Sequence, residues 1–316
     1  MAGYLEVRQW INVNQPAYAV ALSGDGQYAV VVNEQGVAIY NQRGQNLLTR
    51  PISDNPLPVN LIAVTPALEQ VFIGARQGWL LCMETEISDK EVHLHKCWSY
   101  PADINSLTIS PEQNIVAIGH LAPALTLLQF DRCRLWRRHP DDGTATRNQM
   151  WTLALDDENS CLYIGSAGAG SNVLAKINNT DAFPLAHYPV KAGEHVTGIA
   201  ILSDSLGLVA VFSKDVYFSK LVAFDNALRG PLWEMPYDGP LTALASDPNF
   251  PLVVVSAGFE GQLLLLDAQT GKQLAPGLAL ASRVNNLCIV QGRTIAAVTQ
   301  DGNLVLIHYQ PEEFQL

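Results

Sequence analysis

Three groups of residues in this chain have types and spacings suited to chemistry. His93-x-His95-x-Cys97 places three ligand-type side chains at alternate positions. On a strand, alternate residues share a face, so all three could meet one zinc ion. No fourth ligand is evident nearby, and outer strands are often simply polar, so no metal is expected there. The second group is cationic. Arg132, Arg134, Arg137, Arg138 and Arg147 gather around Trp136 and His139 in a chain whose net charge is −11. Arg beside Trp is an interface composition, and it suits a protein partner with an acidic surface. The competing reading is a solvated strand whose charges pair with Asp131, Asp141 and Asp142. The third group, Gly165-Ser-Ala-Gly-Ala-Gly170, is as glycine-rich as a phosphate loop. A phosphate loop needs a helix N-terminus after it, whereas Val173–Ile177 reads as a strand, so a hairpin turn is expected. The chain contains no Gly-x-Ser-x-Gly elbow, no His-Glu-x-x-His, no Walker motif and no Cys-x-x-Cys. No catalytic residue, no resident metal and no cofactor are therefore assigned, and the protein is not expected to be an enzyme.

The elements that position these groups come from an internal repeat. Leu241–Ala275 is the template. It holds an apolar segment (Leu241–Ala245), a turn (Asp247–Pro251), and a second apolar run (Leu252–Ser256) ending at Glu260-Gly261. A third run (Gln262–Asp267) and a short closing segment (Lys272–Ala275) complete it. Four short runs separated by Gly, Asp and Pro predict a four-stranded antiparallel meander. Equivalent first runs start at Ala17, Val59, Ile104, Met150, Val196, Leu241 and Val284, spaced 42 to 46 residues apart. That is the period of propeller blades, and it predicts one all-β domain over residues 1–316 rather than two domains. Positions four and six of each first run are mostly large (Ile62/Val64, Leu107/Ile109) and positions three and five mostly small (Ala19/Ala21, Gly198/Ala200). Such alternation suits an inner strand packed between two neighbouring sheets.

The seventh module lacks a fourth strand. Tyr4-Leu-Glu-Val-Arg-Gln-Trp10 resembles the fourth runs Cys133–Trp136, Val92–Trp98 and Pro231–Trp233, each with Trp before the next module. Residues 4–11 are therefore expected to complete the last blade and close a seven-bladed β-propeller, because an open ring would leave two unpaired edges. In a closed ring, the second residues of the inner strands lie near one mouth of the channel. They are Tyr18, Asn60, Asn105, Trp151, Thr197, Thr242 and Asn285. They could satisfy backbone groups and channel water, or form a polar floor for a partner's loop. The Arg132–Arg147 connection is also long: the next inner strand starts 14 positions after Trp136, against 6 after Trp98 and 8 after Trp233. Long surface loops on rigid scaffolds commonly carry function.

The turns after the first strands (Ser23-Gly-Asp-Gly26, Ser110-Pro-Glu-Gln113, Asp247-Pro-Asn-Phe250) and the aromatic or aliphatic-Asp ends of third strands (Phe130-Asp131, Phe224-Asp225, Leu266-Asp267) resemble the WD40-like seven-bladed propellers along essentially the whole chain. No module contains Trp-Asp, and Gly119-His120 ends a second strand rather than opening a repeat. The resemblance implies a non-catalytic scaffold or assembly factor that binds proteins. The rival is a propeller enzyme or small-ligand binder, such as a lactonase-like hydrolase with a channel metal. The mouth residues include no carboxylate or His to hold that metal.

Composition narrows the partners. Hydrophobic residues make up 48% and charged residues 16%, which suits a folded core. The acidic balance argues against nucleic acid. No run approaches the roughly 20 apolar residues of a membrane helix, so membrane insertion is not expected. Met1–Arg8 has no apolar signal-peptide core. The five cysteines (Cys82, Cys97, Cys133, Cys161, Cys288) sit mostly in apolar runs. Buried free thiols and a cytoplasmic setting are expected.

Overall fold

The computed structural model describes residues 3–13, 15–52, 59–86, 91–121, 124–129, 134–139, 149–167, 173–178, 184–202, 206–215 and 217–311. Its strands form seven four-stranded antiparallel sheets; six are meanders in chain order from the channel outward, and the seventh takes its outermost strand from the start of the chain. The inner strands are Ala17–Leu22, Val59–Val64, Ile104–Ser110, Gln149–Asp156, His195–Ile201, Leu241–Asp247 and Val284–Val290. They begin at, or one residue before, the starts predicted from the repeat. No helix among the described residues is long and apolar enough to cross a membrane.

Burial explains the sequence pattern. Second and third strands are covered on both faces by neighbouring blades, so they read as continuous apolar runs rather than alternating ones. Val30, Val32, Val37 and Ile39 of the first blade pack on Val71, Ile73, Leu81 and Met83 of the second. Outer strands alternate in exposure, as Pro231–Tyr237 does. The predicted turns after inner strands are closed by side chains: Ser110 Oγ accepts from the Gln113 N–H (3.1 Å), and Asp247 Oδ1 from the Asn249 N–H (3.0 Å). His120 ends its second strand buried, with Nε2 3.0 Å from Thr126 Oγ1 and its ring 4.5 Å from that of Tyr100.

One predicted strand is displaced. Lys272–Ala275 makes only an isolated bridge, Leu266 with Gln273. The outer strand of the sixth blade is Leu278–Ala279, pairing with Gln262 and Leu263. Pro276 has no N–H to extend a ladder, so pairing resumes only beyond it.

The seventh blade closes as expected. Gly3–Asn12 pairs antiparallel with Asn303–Pro311, with Tyr4 opposite Gln310 and Ile11 opposite Leu304. The seam to the first blade is tied by polar groups. Asn285 Nδ2 donates to the Ala17 carbonyl at 2.8 Å, and Asn286 Oδ1 accepts from the Val20 N–H at 3.2 Å. A cleft of about 530 Å³ lies along this seam on the face opposite the mouth, between Arg8, Asp25, Gln42 and His308.

His308 is expected to make the seam sensitive to pH. It stands opposite Glu6, with Arg8 and Arg293 close by. Partial burial first, then the two arginines, hold its pKa below the ordinary 6.5, against the pull of Glu6. Folding therefore disfavours the imidazolium. As pH falls through 6.5 the unfolded chain takes up the proton first, so stability is undiminished above that value and drops on acidification. His308→Gln is expected to flatten the decline in Tm between roughly pH 7 and 5. An unchanged pH profile would remove His308 as a cause.

Candidate functional site: the channel mouth

The mouth is built from a repeated backbone irregularity. In all seven blades, the pairing of inner and second strands skips one residue. The skipped residues are Tyr18, Asn60, Asn105, Trp151, Thr197, Thr242 and Asn285, the same seven singled out in the sequence. A bulge leaves its extra residue out of the ladder and re-aims its side chain, which is why residue types here break the small–large alternation of each strand.

The structure divides these residues by role. Asn285 is committed to the seam. Tyr18 donates from its hydroxyl to Glu34 Oε1 at 2.6 Å. Burial, then the bond to Glu34, pushes the Tyr18 phenol up to about 12, so it stays a neutral donor near pH 7. Thr197 Oγ1 lies 3.2 Å from Ser213 Oγ, which in turn lies 3.2 Å from Ser219 Oγ. That chain ends where Ser219 Oγ accepts from the Leu241 N–H of the next blade (3.3 Å). Thr242 Oγ1 is buried with no partner among the described residues. Asn105 is half-buried. Asn60 and Trp151 occupy their bulges, and their side chains lie outside the described residues.

The mouth face also carries residues the sequence reading passed over. Tyr217 (78% exposed) and Phe218 (37%) sit at the hairpin between Leu208–Asp215 and Phe218–Phe224, and Phe259 (59%) at the adjoining blade's equivalent hairpin. Register places both hairpins beside the starts of the inner strands, His195 opposite Ser213 and Leu241 opposite Ala257. Tight hairpins ordinarily carry Gly, Asn or Asp, so an aromatic residue there was the available signal.

The arginine group lies elsewhere. Arg134–His139 is the outer strand of the third blade rather than an open loop. Its pairing skips Trp136, between Leu127 opposite Arg137 and Leu128 opposite Leu135. Three strand spacings, about 14 Å, separate this rim from the inner strand, so the arginines and the mouth ring do not form one site. Arg132 and Arg147 lie outside the described residues, as do the side chains of Arg134, Trp136, Arg137 and Arg138.

Gly165 lies within the second strand Cys161–Ala167, and Val173–Asn178 follows as a strand, in keeping with a hairpin; Gly168 and Gly170 lie outside the described residues. A methyl at Gly165 would come within 2.7 Å of Val196 and Thr152, so glycine there permits close approach of the next blade. Among the cysteines, Cys82 and Cys161 are buried free thiols and Cys288 a half-buried one. Burial, then Glu84, pushes the Cys82 thiol up to about 12. The expectation of free thiols fails at Cys97, which is disulfide-bonded. The ligand grouping also changes: Cys82, not His93, joins His95 and Cys97.

These features define a seven-bladed β-propeller with a bulge-lined polar mouth and exposed aromatic residues on two adjoining hairpins of the same face. Compared by sequence, the chain matches no family model and no curated protein. By fold it matches 1763 chains of solved structures, so the likeness establishes architecture rather than task. One of these is the crystal structure of Chaetomium thermophilum Raptor, with a TM-score of 0.80 at 12% identity over 99% of this chain and 29% of that chain. This chain thus spans less than a third of that longer one. The propeller implied by the WD40-like resemblance is present, without a matching family model.

Proposed function

We propose that this protein is a cytoplasmic interaction platform that binds a protein partner at the channel mouth and performs no chemistry of its own. The observation that carries this reading is the set of exposed aromatic residues at the hairpins of one face. Tyr217, Phe218 and Phe259 stand exposed on two adjoining blades of one face. Rigid aromatic side chains of this kind dominate binding energy when a partner covers them. The seven-blade ring holds them in place, so little ordering entropy is lost on association. The arginine strand of the third blade is a second contact for an acidic partner, acting mainly on association rate.

Tagged capture from the native host at low salt, read by mass spectrometry, tests this. Wild type is expected to retain a specific protein. Replacing Tyr217, Phe218 and Phe259 by Ser is expected to weaken capture roughly thirtyfold or more, since one hot-spot residue alone is worth about 2 kcal/mol. Arg134→Glu, Arg137→Glu and Arg138→Glu together are expected to release an acidic partner in a salt-sensitive way. A partner retained by both variants would place the interface elsewhere.

A further inference from the structure

The second blade brings three ligand atoms together across its outer pair of strands. Cys82, on Trp79–Glu86, stands directly opposite His95, on Glu91–Ser99. The pairing then jumps from Leu81 opposite Lys96 to Leu80 opposite Trp98, leaving Cys97 as the extra residue of a bulge. The sulfurs of Cys82 and Cys97 and a ring nitrogen of His95 all lie within 4.8 Å of one another. Ligand atoms around tetrahedral zinc stand about 3.5–3.8 Å apart, so small side-chain rotations would close the set. Cys82 is 1% exposed among Phe72, Leu80, Ile104 and Leu128, whereas His95 is open to solvent. The group has a dry floor and a wet mouth. Cys97 is held in a disulfide, so one of the three sulfur and nitrogen donors is occupied by a covalent bond.

We propose that Cys82, His95 and Cys97 form a redox-gated zinc site that assembles when the Cys97 disulfide is reduced. In the oxidised protein the Cys97 sulfur carries no charge, and a thiol and an imidazole alone remain. A dithiol reductant supplies two electrons and two protons. Its own sulfurs become a disulfide, the S–S bond at Cys97 breaks, and thiols are left on Cys97 and on its former partner. Zinc then displaces the protons of Cys82 and Cys97 and binds both thiolates and the neutral His95 nitrogen, with water as fourth ligand. Two thiolates and an imidazole favour zinc or cuprous ion over magnesium or calcium. The cation also supplies the charge that a thiolate buried at Cys82 otherwise lacks. This site stands apart from the interaction platform and does not depend on it.

The test uses the full chain, untreated or reduced with a dithiol that is then removed without air. Each form is titrated with Co2+ as a spectroscopic stand-in, followed by Zn2+. Reduced protein is expected to show a thiolate-to-cobalt absorption that saturates at stoichiometry and is abolished by Zn2+. Untreated protein is expected to bind at least about 100-fold more weakly, a larger loss than outer-shell changes alone produce. Cys97→Ser removes both the disulfide and a ligand, and is expected to remain a weak binder after reduction. His95→Ala, at a solvent-facing position that leaves the core intact, is expected to weaken binding more than about tenfold. Equal binding by oxidised and reduced protein would overturn the proposal. So would the absence of a thiolate band in reduced wild type, or wild-type affinity in reduced His95→Ala.

Discussion

Removing residues 1–12 is expected to leave a chain that does not reach the native state. The segment supplies the whole outer strand of the seventh blade, and Leu5 and Ile11 pack on the two cores that flank it. Fully burying such a side chain is worth about 1.5–3 kcal/mol, and these partly buried ones contribute a part of that each. The ladder partners of Asn303–Pro311 would be lost as well, exposing an apolar edge built from Leu304, Val305, Leu306 and Ile307. Together these losses match a large share of the roughly 5–15 kcal/mol that holds a typical domain folded. The truncated chain should aggregate or bind a hydrophobic dye, with no cooperative thermal transition. A synthetic peptide of residues 1–13 added during refolding should restore the transition by re-supplying the strand. A truncated protein that melts like the full chain would refute closure by this segment.

Gly78→Ala is expected to cost about 3 kcal/mol, combining a left-handed backbone with an overpacked contact. Gly78 has φ +70° and ends the short 3-10 turn Arg76–Gly78 between the second and third strands of the second blade. Its carbonyl accepts from the Tyr100 N–H at 3.0 Å, so the hairpin is pressed against the loop leading to the third blade. A methyl at Gly78 would collide with the Tyr100 carbonyl and lie 2.5 Å from that of Ala102. Gly261 repeats this arrangement against the Ser282 carbonyl in the sixth blade, with φ +64°. Positive φ is thus half of the reason for glycine, and contact with the next inter-blade loop is the other half. Urea denaturation should show a lower midpoint with an unchanged slope. A loss below about 1 kcal/mol would mean the loops yield easily.

The inner strands and the closure were legible because each leaves a chemical trace in the residues. The inner strand must be narrow on alternate positions, and Ala19, Gly198 and Ala243 record that requirement. Closure was legible because Trp10 precedes the next inner strand by about as many positions as Trp98 and Trp233 do, although register sets Trp98 opposite Leu80 and Trp233 opposite Ala223, at opposite ends of their third strands. The mouth ring was found by position, but its bulges were not visible, since an extra backbone residue places no demand on side-chain type. Tyr, Asn, Trp and Thr all occupy it. The Cys82–His95–Cys97 grouping was half visible. Alternation along one strand suggested His93, His95 and Cys97, but Cys82 lies on a different strand and is brought in by register and a bulge. The misplaced fourth strand of the sixth blade traces to Pro276, whose missing N–H outweighs the pattern in Lys272–Ala275. Exposed aromatics in hairpins were overlooked because such turns read as connectors.

The closing strand has a consequence for how the chain is made. Gly3–Asn12 leaves the ribosome well before its partner Asn303–Pro311, which follows about 300 residues later. At roughly 5–20 residues per second, the first strand waits about 15–60 s for that partner. During this interval the early blades can fold against one another, but the ring stays open, with one unpaired edge at its beginning and another at its growing end. Contacts of such long sequence separation are slow to form even in a complete chain. Synthesis at low temperature, or slow translation of the last two blades, lengthens the exposure of both edges. The vulnerable species of this protein is therefore a nascent six-blade arc, and its yield is governed by the time needed to seal the circle.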